Sequence, residues 1–206
     1  MLKKLQTYIK SSYNSMFDDV TEEFYNRVLR ESISYRRVSG YFSCKALSLY
    51  ANGLDILAAN NGYLQLIVSQ NITEKDFDEI QRGYEARARE ESITDLDKKR
   101  LGNLAFLISQ GKADVKFGLV KNGLFHTKWG LFEDLQGDTI YFNGSMNETA
   151  NGIENNFESF GVDFSSNEKK KVQKGIIQKK KEFDFLWNDK YTSVRVIDAT
   201  ELVYQL

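Results

Sequence analysis

The stretch FHTKWGLFEDLQGDTIYFNGS, Phe125–Ser145, predicts a β-hairpin. Two runs of strand-forming residues flank the polar segment Leu135–Asp138, which has the composition of a turn. The first run carries His126, the only histidine in 206 residues. Because side chains two residues apart on a strand share a face, His126 and Lys128 are expected to point together.

Helical and strand patterns alternate on both sides of this hairpin. A short apolar run, Tyr63–Ser69, is typical of a buried strand. Such alternation predicts an α/β fold, a mixed β-sheet flanked by helices on both faces. Helices are predicted over Val20–Ser32, Cys44–Gly62, Thr73 to about Ser92, Thr94–Gly111 and Ser165–Asp189, and further strands over Ile33–Ser43, Ala113–Val120, Phe157–Ser165 and Thr192–Asp198.

The composition is that of one globular domain. The chain is 41% hydrophobic, so it can bury a core, and we expect residues 1–206 to form a single domain, either a whole protein or the N-terminal domain of a larger one. A net charge of −1 excludes a basic field over the whole protein, so any contact with a polyanion needs a local patch. The single Cys44 argues for a reducing, cytoplasmic setting, and no apolar run is long enough for a transmembrane span.

The hairpin carries residue types that suit phosphodiester chemistry. A neutral imidazole can attack phosphorus, and Lys128 supplies positive charge for the phosphoryl oxygens. If the returning strand persists through NGSMN, Ser145 and Asn147 share a face and supply neutral donors. Gly144 lets a backbone or a substrate approach closely. A carboxylate bonded to the far ring nitrogen would orient His126.

His126-Thr-Lys128 followed by Gly144-Ser-Met-Asn147 resembles the HxK…GSxN signature of the phospholipase D superfamily. Glu158 stands where the small nucleases of that superfamily have an acid that contacts the catalytic histidine. The segment VSGYFS, residues 38–43, resembles the first strand of bacterial phospholipase-D-like nuclease domains, some of which are fused to helicases or restriction modules. The resemblance implies a phospholipase D-like fold and a phosphohistidine intermediate.

Two departures from the family pattern concern the acid that follows the lysine. The family usually has Asp five residues after the lysine, where this chain has Glu133, with Asp134 next to it. The spacing from this acid to Gly144 is also longer, which we assign to an extended hairpin turn. The acid of the motif usually has a structural role. Glu133 is the residue in register, and Asp134 is the alternative.

The single histidine implies a shared site. In this superfamily one histidine attacks phosphorus and a second protonates the leaving oxygen, a contribution worth about 10²–10⁴ in rate. With only His126 available, either two chains pair across a two-fold axis and combine their motifs or the site is incomplete, and two-fold dimers are the commonest oligomers. We therefore expect a homodimer with one shared active site. The family chemistry needs no metal, and no cofactor is expected.

The resemblance makes DNA the expected substrate, with single-stranded DNA included. A role in bacterial defence against foreign DNA, with a helicase or another defence protein as partner, follows by analogy alone. A phospholipase is a second enzymatic interpretation, although no amphipathic membrane anchor is evident. The rival from another class is a non-catalytic module that binds nucleic acid or mediates assembly, favoured by Glu133 and the long hairpin.

Several of these residues also have ordinary interpretations. A lone histidine such as His126 is commonly a satisfied or exposed side chain, and Glu158 is compatible with a solvated strand edge. Arg36 and Arg37 alternate in direction, so one of them is a candidate for binding substrate. The seven lysines within 169–181 form either the solvated face of a packed helix or a stripe that tracks phosphates.

Overall fold

The computed structural model describes residues 1–91, 98 and 102–203. Within these residues the strands are β1 (Ser12–Asn14), β2 (Ser34–Ser39), β3 (Tyr63–Ser69), β4 (Ala113–Val120), β5 (Lys128–Glu133), β6 (Thr139–Gly144), β7 (Ser159–Phe164) and β8 (Val194–Asp198). They form an eight-stranded sheet in the order β1-β7-β6-β5-β2-β3-β4-β8. The neighbours β2, β3 and β4 run parallel and all other pairs run antiparallel, so the sheet is mixed as predicted.

Among the described residues, the first seven α-helices lie between strands along the chain and the eighth follows the last strand. They are α1 (Arg27–Leu29), α2 (Cys44–Leu49), α3 (Ala51–Ala59), α4 (Glu74–Ala88), α5 (Asn103–Ser109), α6 (Ala150–Glu154), α7 (Lys170–Trp187) and α8 (Ala199–Val203). A 3-10 helix covers Leu2–Thr7, and a π-helical segment, Thr21–Asn26, leads into α1.

Helices cover both faces of the sheet. On one face α7 buries Ile176 and Phe183 against Trp129 of β5. On the other face Phe132 of the same strand packs against Phe24 in the larger core, which also contains buried residues of α2 to α5. Alternate residues of β5 therefore enter different cores, which confirms the predicted sheet with helices on both faces.

The helix predictions that rest on local sequence signals had different outcomes. Thr73 caps α4 as predicted, with its Oγ1 accepting the backbone N–H of Asp76 at 3.2 Å. The single helix predicted over Cys44–Gly62 is instead two helices, because Tyr50 has φ −118° and ψ 35° and interrupts it. The predicted cap at Thr94 lies outside the described residues.

The hairpin of β5 and β6 is confirmed, and the Asp134 carboxylate holds its turn. This side chain is buried and accepts the backbone N–H groups of Gln136 and Asp138 at 3.0 Å each. Its second oxygen accepts the N–H of Leu2 at 2.7 Å, which ties the amino-terminal segment to the turn. Glu133 instead forms an ion pair with Lys180 of α7. Of the two candidate acids, Asp134 is therefore the one that stabilises this turn.

A buried ion pair joins β2 to the loop that follows β6. The Arg37 and Glu148 side chains are 1% and 0% exposed, with 2.6 Å between Arg37 Nε and Glu148 Oε2. Arg37 also donates to the carbonyl oxygen of Met146 at 2.7 Å. The hydroxyls of Tyr25, Tyr35 and Tyr50 donate to the same carboxylate. Every charge in this cluster thus has hydrogen-bond partners, as burial requires.

The tyrosines of this cluster remain protonated donors. Burial raises the pKa values of Tyr35 and Tyr50 well above their usual range, and the negative charge of Glu148 raises them further. The backbone of Glu148 is also fixed, because its N–H donates to Ser39 Oγ at 2.9 Å and its carbonyl accepts the N–H of Ser43 at 2.9 Å. The loop carrying Ser145 and Asn147 is therefore anchored to the end of β2.

Replacing Arg37 by alanine should lower the free energy of unfolding by roughly 3–5 kcal/mol, because the Glu148 charge would remain buried without its partner. Arg36→Ala is the matched control. Arg36 pairs with the exposed Asp184 at 3.5 Å, so its loss should cost about 1 kcal/mol or less. Urea denaturation of both variants measures the difference, and equal losses would contradict the role assigned to the buried pair.

Candidate active site

His126 lies in an irregular segment just before β5, and its side chain is exposed. Two glycines let this segment come close to the sheet. A Cβ on Gly40 would lie 2.8 Å from the Cα of His126, and the ring of Phe125 covers Gly118. The position of His126 therefore depends on the turn that follows β2 and on β4 beneath Phe125.

Lys128 begins β5 and is half-buried beside His126. Its Nζ donates to the carbonyl oxygen of His126 at 2.8 Å. Burial lowers the pKa of Lys128, the negative charge of Glu158 opposes that shift, and the positive charge of Arg37 reinforces it. The Lys128 ammonium group is thus held at the backbone of His126, within range of the negative charge of Glu158.

Ser145 and Asn147 follow β6 in the anchored loop. The Oγ of Ser145 accepts the N–H of Ser159 at 3.1 Å. The Oδ1 of Asn147 accepts the N–H of Tyr41 at 3.1 Å, so the side-chain amide nitrogen is the end that remains to donate. The ring of Tyr41 meets the imidazole of His126 edge-on, with 5.6 Å between the ring centroids. These contacts bring the HxK and GSxN segments together.

Glu158 precedes β7 and is half-buried. The Oγ of Ser15 accepts its N–H at 2.9 Å, and its carbonyl oxygen accepts the N–H of Ser15 at 3.0 Å. Among the hydrogen bonds of the described residues, none joins the Glu158 carboxylate to His126. The orientation of His126 by Glu158 therefore stays a prediction.

A cavity of about 640 Å³ brings the predicted catalytic residues together. The strand parity expected for His126, Ser145 and Asn147 does not apply, because β5 begins at Lys128 and β6 ends at Gly144. Loop contacts gather these residues instead. The lining consists of His126, Thr127, Lys128, Trp129, Tyr141, Asn143, Gly144, Ser145, Asn147, Glu158 and Lys179.

The remaining predicted residues have other surroundings. Arg37 lies beneath the loop in its ion pair, and Arg36 contacts Asp184 and lies 5.6 Å from the Phe183 ring of α7. Neither arginine lines the cavity. Gly144 does line it, but the group that approaches this glycine is the backbone of β7, since a Cβ there would lie 2.0 Å from the carbonyl oxygen of Ser159.

The sequence did not single out Asn143 and Lys179, which line the cavity, or Gly40, which supports the His126 backbone. Asn143 lies two residues before Ser145 in the same run of sequence, and this spacing could have identified it as a candidate. Lys179 is one of seven similar lysines, and nothing in the helical pattern singles it out. Gly40 belongs to the quoted VSGYFS segment, but only its contact with His126 explains why a glycine is needed there.

Two further properties concern residues 1–91, 98 and 102–203, the part of the chain that the structure describes. Those residues contain no group of three or more His, Cys, Asp or Glu side chains placed to hold a metal ion. Within the same residues, no helix is both long enough and apolar enough to cross a membrane.

A protein-family model described as "Cardiolipin synthase, PLD-like domain" matches residues 29–181. The chain belongs to this PLD-like family. The matched segment includes His126, Lys128, Ser145, Asn147 and Glu158, so the resemblance to the phospholipase D superfamily is confirmed. No curated protein matches the chain significantly.

Solved structures share the fold of this PLD-like domain. NucT from Helicobacter pylori has a TM-score of 0.55 and 15% identity, with 90% of this chain and 96% of that one covered. Polyphosphate kinase from Porphyromonas gingivalis has a TM-score of 0.54 and 12% identity, with 93% of this chain but only 24% of that one covered. At these identities the similarity concerns the fold.

Gly144→Ala should destabilise the PLD-like domain by about 2 kcal/mol or more, because the added Cβ meets the backbone of Ser159 and Phe160, which cannot yield without separating β6 from β7. Gly161→Ala in β7 is the matched control, since its Cβ would meet only the Ser11 carbonyl oxygen at 3.9 Å. Thermal and chemical unfolding of both variants measure this. The close approach of the strands would be refuted if Gly144→Ala unfolded like Gly161→Ala.

Proposed function

We propose that this chain is a metal-independent nuclease that cleaves DNA phosphodiester bonds through a phosphohistidine intermediate. The observation that supports it best is the single cavity lined by His126, Lys128, Ser145, Asn147 and Glu158. This set combines a nucleophile, a fixed cation and neutral donors for phosphoryl oxygens, as phosphoryl transfer requires. Membership of the PLD-like family supports the same chemistry.

In the first step an imidazole nitrogen of His126 attacks the scissile phosphorus, an N–P bond forms and the bond to the leaving oxygen breaks. Lys128 and the Asn147 amide stabilise the phosphoryl oxygens, and the Ser145 hydroxyl is within the same cavity. Glu158, with Lys128 beside it, is the acid proposed to orient the imidazole. The leaving oxygen needs a proton at this stage.

The proton comes from His126 of the partner subunit in the proposed homodimer. In the second step that imidazole, now neutral, accepts a proton from water as the water oxygen attacks phosphorus and the N–P bond breaks. The exposed position of His126 supports this arrangement, because a second imidazole can reach the same phosphorus only from an open face.

The cellular role is also part of the proposal. We place the protein in the cytoplasm, since its one cysteine, Cys44, can form no intramolecular disulfide and is buried. By analogy with PLD-like domains fused to helicases or restriction modules, it acts on foreign DNA with a helicase or another defence protein as partner. Single-stranded DNA is included among its substrates.

His126→Ala should abolish DNA cleavage while the protein remains folded and dimeric, because the nucleophile and the general acid are lost together. The measurement is cleavage of plasmid and single-stranded DNA in excess EDTA, with the molecular mass taken by light scattering on the same samples. Mass spectrometry of an acid-free quench should find phosphate or a nucleotide on His126 of the wild type.

Each part of the mechanism has an outcome that contradicts it. Cleavage that persists in His126→Ala overturns the nucleophile, and cleavage that EDTA abolishes overturns metal independence. An active monomer overturns the shared site. If the wild type hydrolyses a phosphodiester lipid but does not cleave DNA, the protein is a phospholipase that uses the same chemistry. DNA binding without any cleavage would favour the non-catalytic module.

Gly40→Ala should lower kcat by about 10²-fold with little effect on KM, since the new Cβ displaces the His126 backbone and a shift of about 1 Å costs that much. Gly123→Ala is the control in the segment before His126, because its Cβ meets only a Val120 methyl group at 3.2 Å. Steady-state cleavage and thermal unfolding are measured together. Wild-type kcat in folded Gly40→Ala would show that this glycine does not position the histidine.

A further inference from the structure

A second cavity, of about 310 Å³, lies between α7 and the strands β6 and β7. It shares Tyr141 and Lys179 with the candidate active site, so the two cavities adjoin along the α7 face of the sheet. Lys171 and Gly175 of α7 line it on one side, and Asp163 of β7 lines it on the other. We call this adjoining cavity, with Lys171, Gly175, Lys179 and Asp163 in its walls, the α7 groove.

The lysines of the α7 groove are set along one line. Lys171, Gly175 and Lys179 follow each other at intervals of four residues, so they share one stripe of the helix. Eight residues of α-helix span about 12 Å, which corresponds to about three nucleotides of a B-form strand. Lys179 ends this line inside the candidate active site, so a bound strand would pass directly from the groove to His126.

Gly175 points to a ligand in the groove for a separate reason. Glycine inside a helix lowers the stability of the helix relative to alanine. At Gly40 and Gly144 close backbone contacts explain the glycine, but a Cβ on Gly175 would meet nothing within 4 Å. Packing within the protein therefore does not demand a glycine here, whereas an occupant of the groove would benefit from the open space.

The charges in the groove suit a polynucleotide. Lys179 is held at 2.8 Å from Glu182, an exchangeable pair because both side chains remain partly exposed. The Asp163 carboxylate on the opposite wall would repel a phosphate but can accept a hydrogen bond from a base amino group. Phosphates therefore fit against the lysine side and bases against the strand side.

We infer that the α7 groove binds a strand of nucleic acid next to the cleaved bond, with Lys171 and Lys179 contacting its phosphates on either side of the open space at Gly175. This inference extends the proposed function, since it assigns the path of the substrate. It also selects two lysines from the lysine-rich helix as phosphate ligands, whereas Lys180 pairs with Glu133 and the others are left as solvated surface.

The test measures binding apart from cleavage, in the His126→Ala background. Fluorescence anisotropy of a labelled 20-nucleotide single strand is followed between about 50 and 200 mM NaCl. Lys171→Ala and Lys179→Ala should each weaken binding and reduce the slope of log K against log salt by about 0.7, one phosphate contact on a single strand. Lys181→Ala removes the same charge from the same helix, off this stripe, and should leave the slope unchanged.

Gly175 gives a second, independent measurement. Gly175→Ala should raise Tm by roughly 2–4 °C, because the methyl group meets no protein atom, and should weaken binding only slightly, because a methyl group fills little of the open space. Gly175→Phe should fold but weaken binding, since its ring fills the groove. Equal binding by the alanine and phenylalanine variants would overturn the role given to the open space at Gly175.

The outcomes separate this inference from the proposed nuclease activity. If wild-type protein cleaves DNA but the groove lysines behave like Lys181, the groove is wrong and the nuclease stands. If the groove lysines alone reduce the salt slope and the wild type cleaves nothing, the groove stands and the nuclease is wrong. If the protein neither binds nor cleaves the strand, both are overturned.

Discussion

The Glu148 carboxylate, buried without any exposure, is the constraint on which the site depends. A charge removed from water must be matched, and Arg37 and three tyrosine hydroxyls from separate elements converge on it. Asn147 is the next residue in the chain, so its place is set by the same contacts. Asn147 in turn receives the N–H of Tyr41, and the adjacent Gly40 abuts the His126 backbone.

The site therefore has a rigid underside and an open face. Beneath the loop, Arg37 and Glu148 satisfy one another and take no part in lining the cavity. Above it, His126 is exposed, and the negative charge of Glu158 opposes the lowering of the Lys128 pKa by burial. Fixed supports with exposed reactive groups suit a reaction that depends on positioning more than on flexibility. One histidine on an open face is also the arrangement that a two-fold partner would complete.

Local patterns predicted most of the fold. The strands Tyr63–Ser69 and Ala113–Val120 have the predicted bounds, because each run of strand-forming residues is bounded by a glycine or by polar residues. The interruption at Tyr50 was missed, and its hydroxyl bonds to Glu148, a partner 98 residues away. Strand parity also failed for His126, since contact with Gly40 and not the sheet ladder holds it.

The sequence by itself determined the order of the longer helices and strands, the family signature and the set of reactive residue types, because these follow from periodicity and spacing along the chain. The short elements β1, α6 and α8 were not predicted. Only the tertiary structure decided between chemically similar neighbours. Asp134 rather than Glu133 holds the turn, Arg37 rather than Arg36 is buried, and Lys179 among seven lysines enters the site. Such neighbours differ in their burial and in their hydrogen-bond and ion-pair partners. Both properties arise from contacts between segments far apart in the chain.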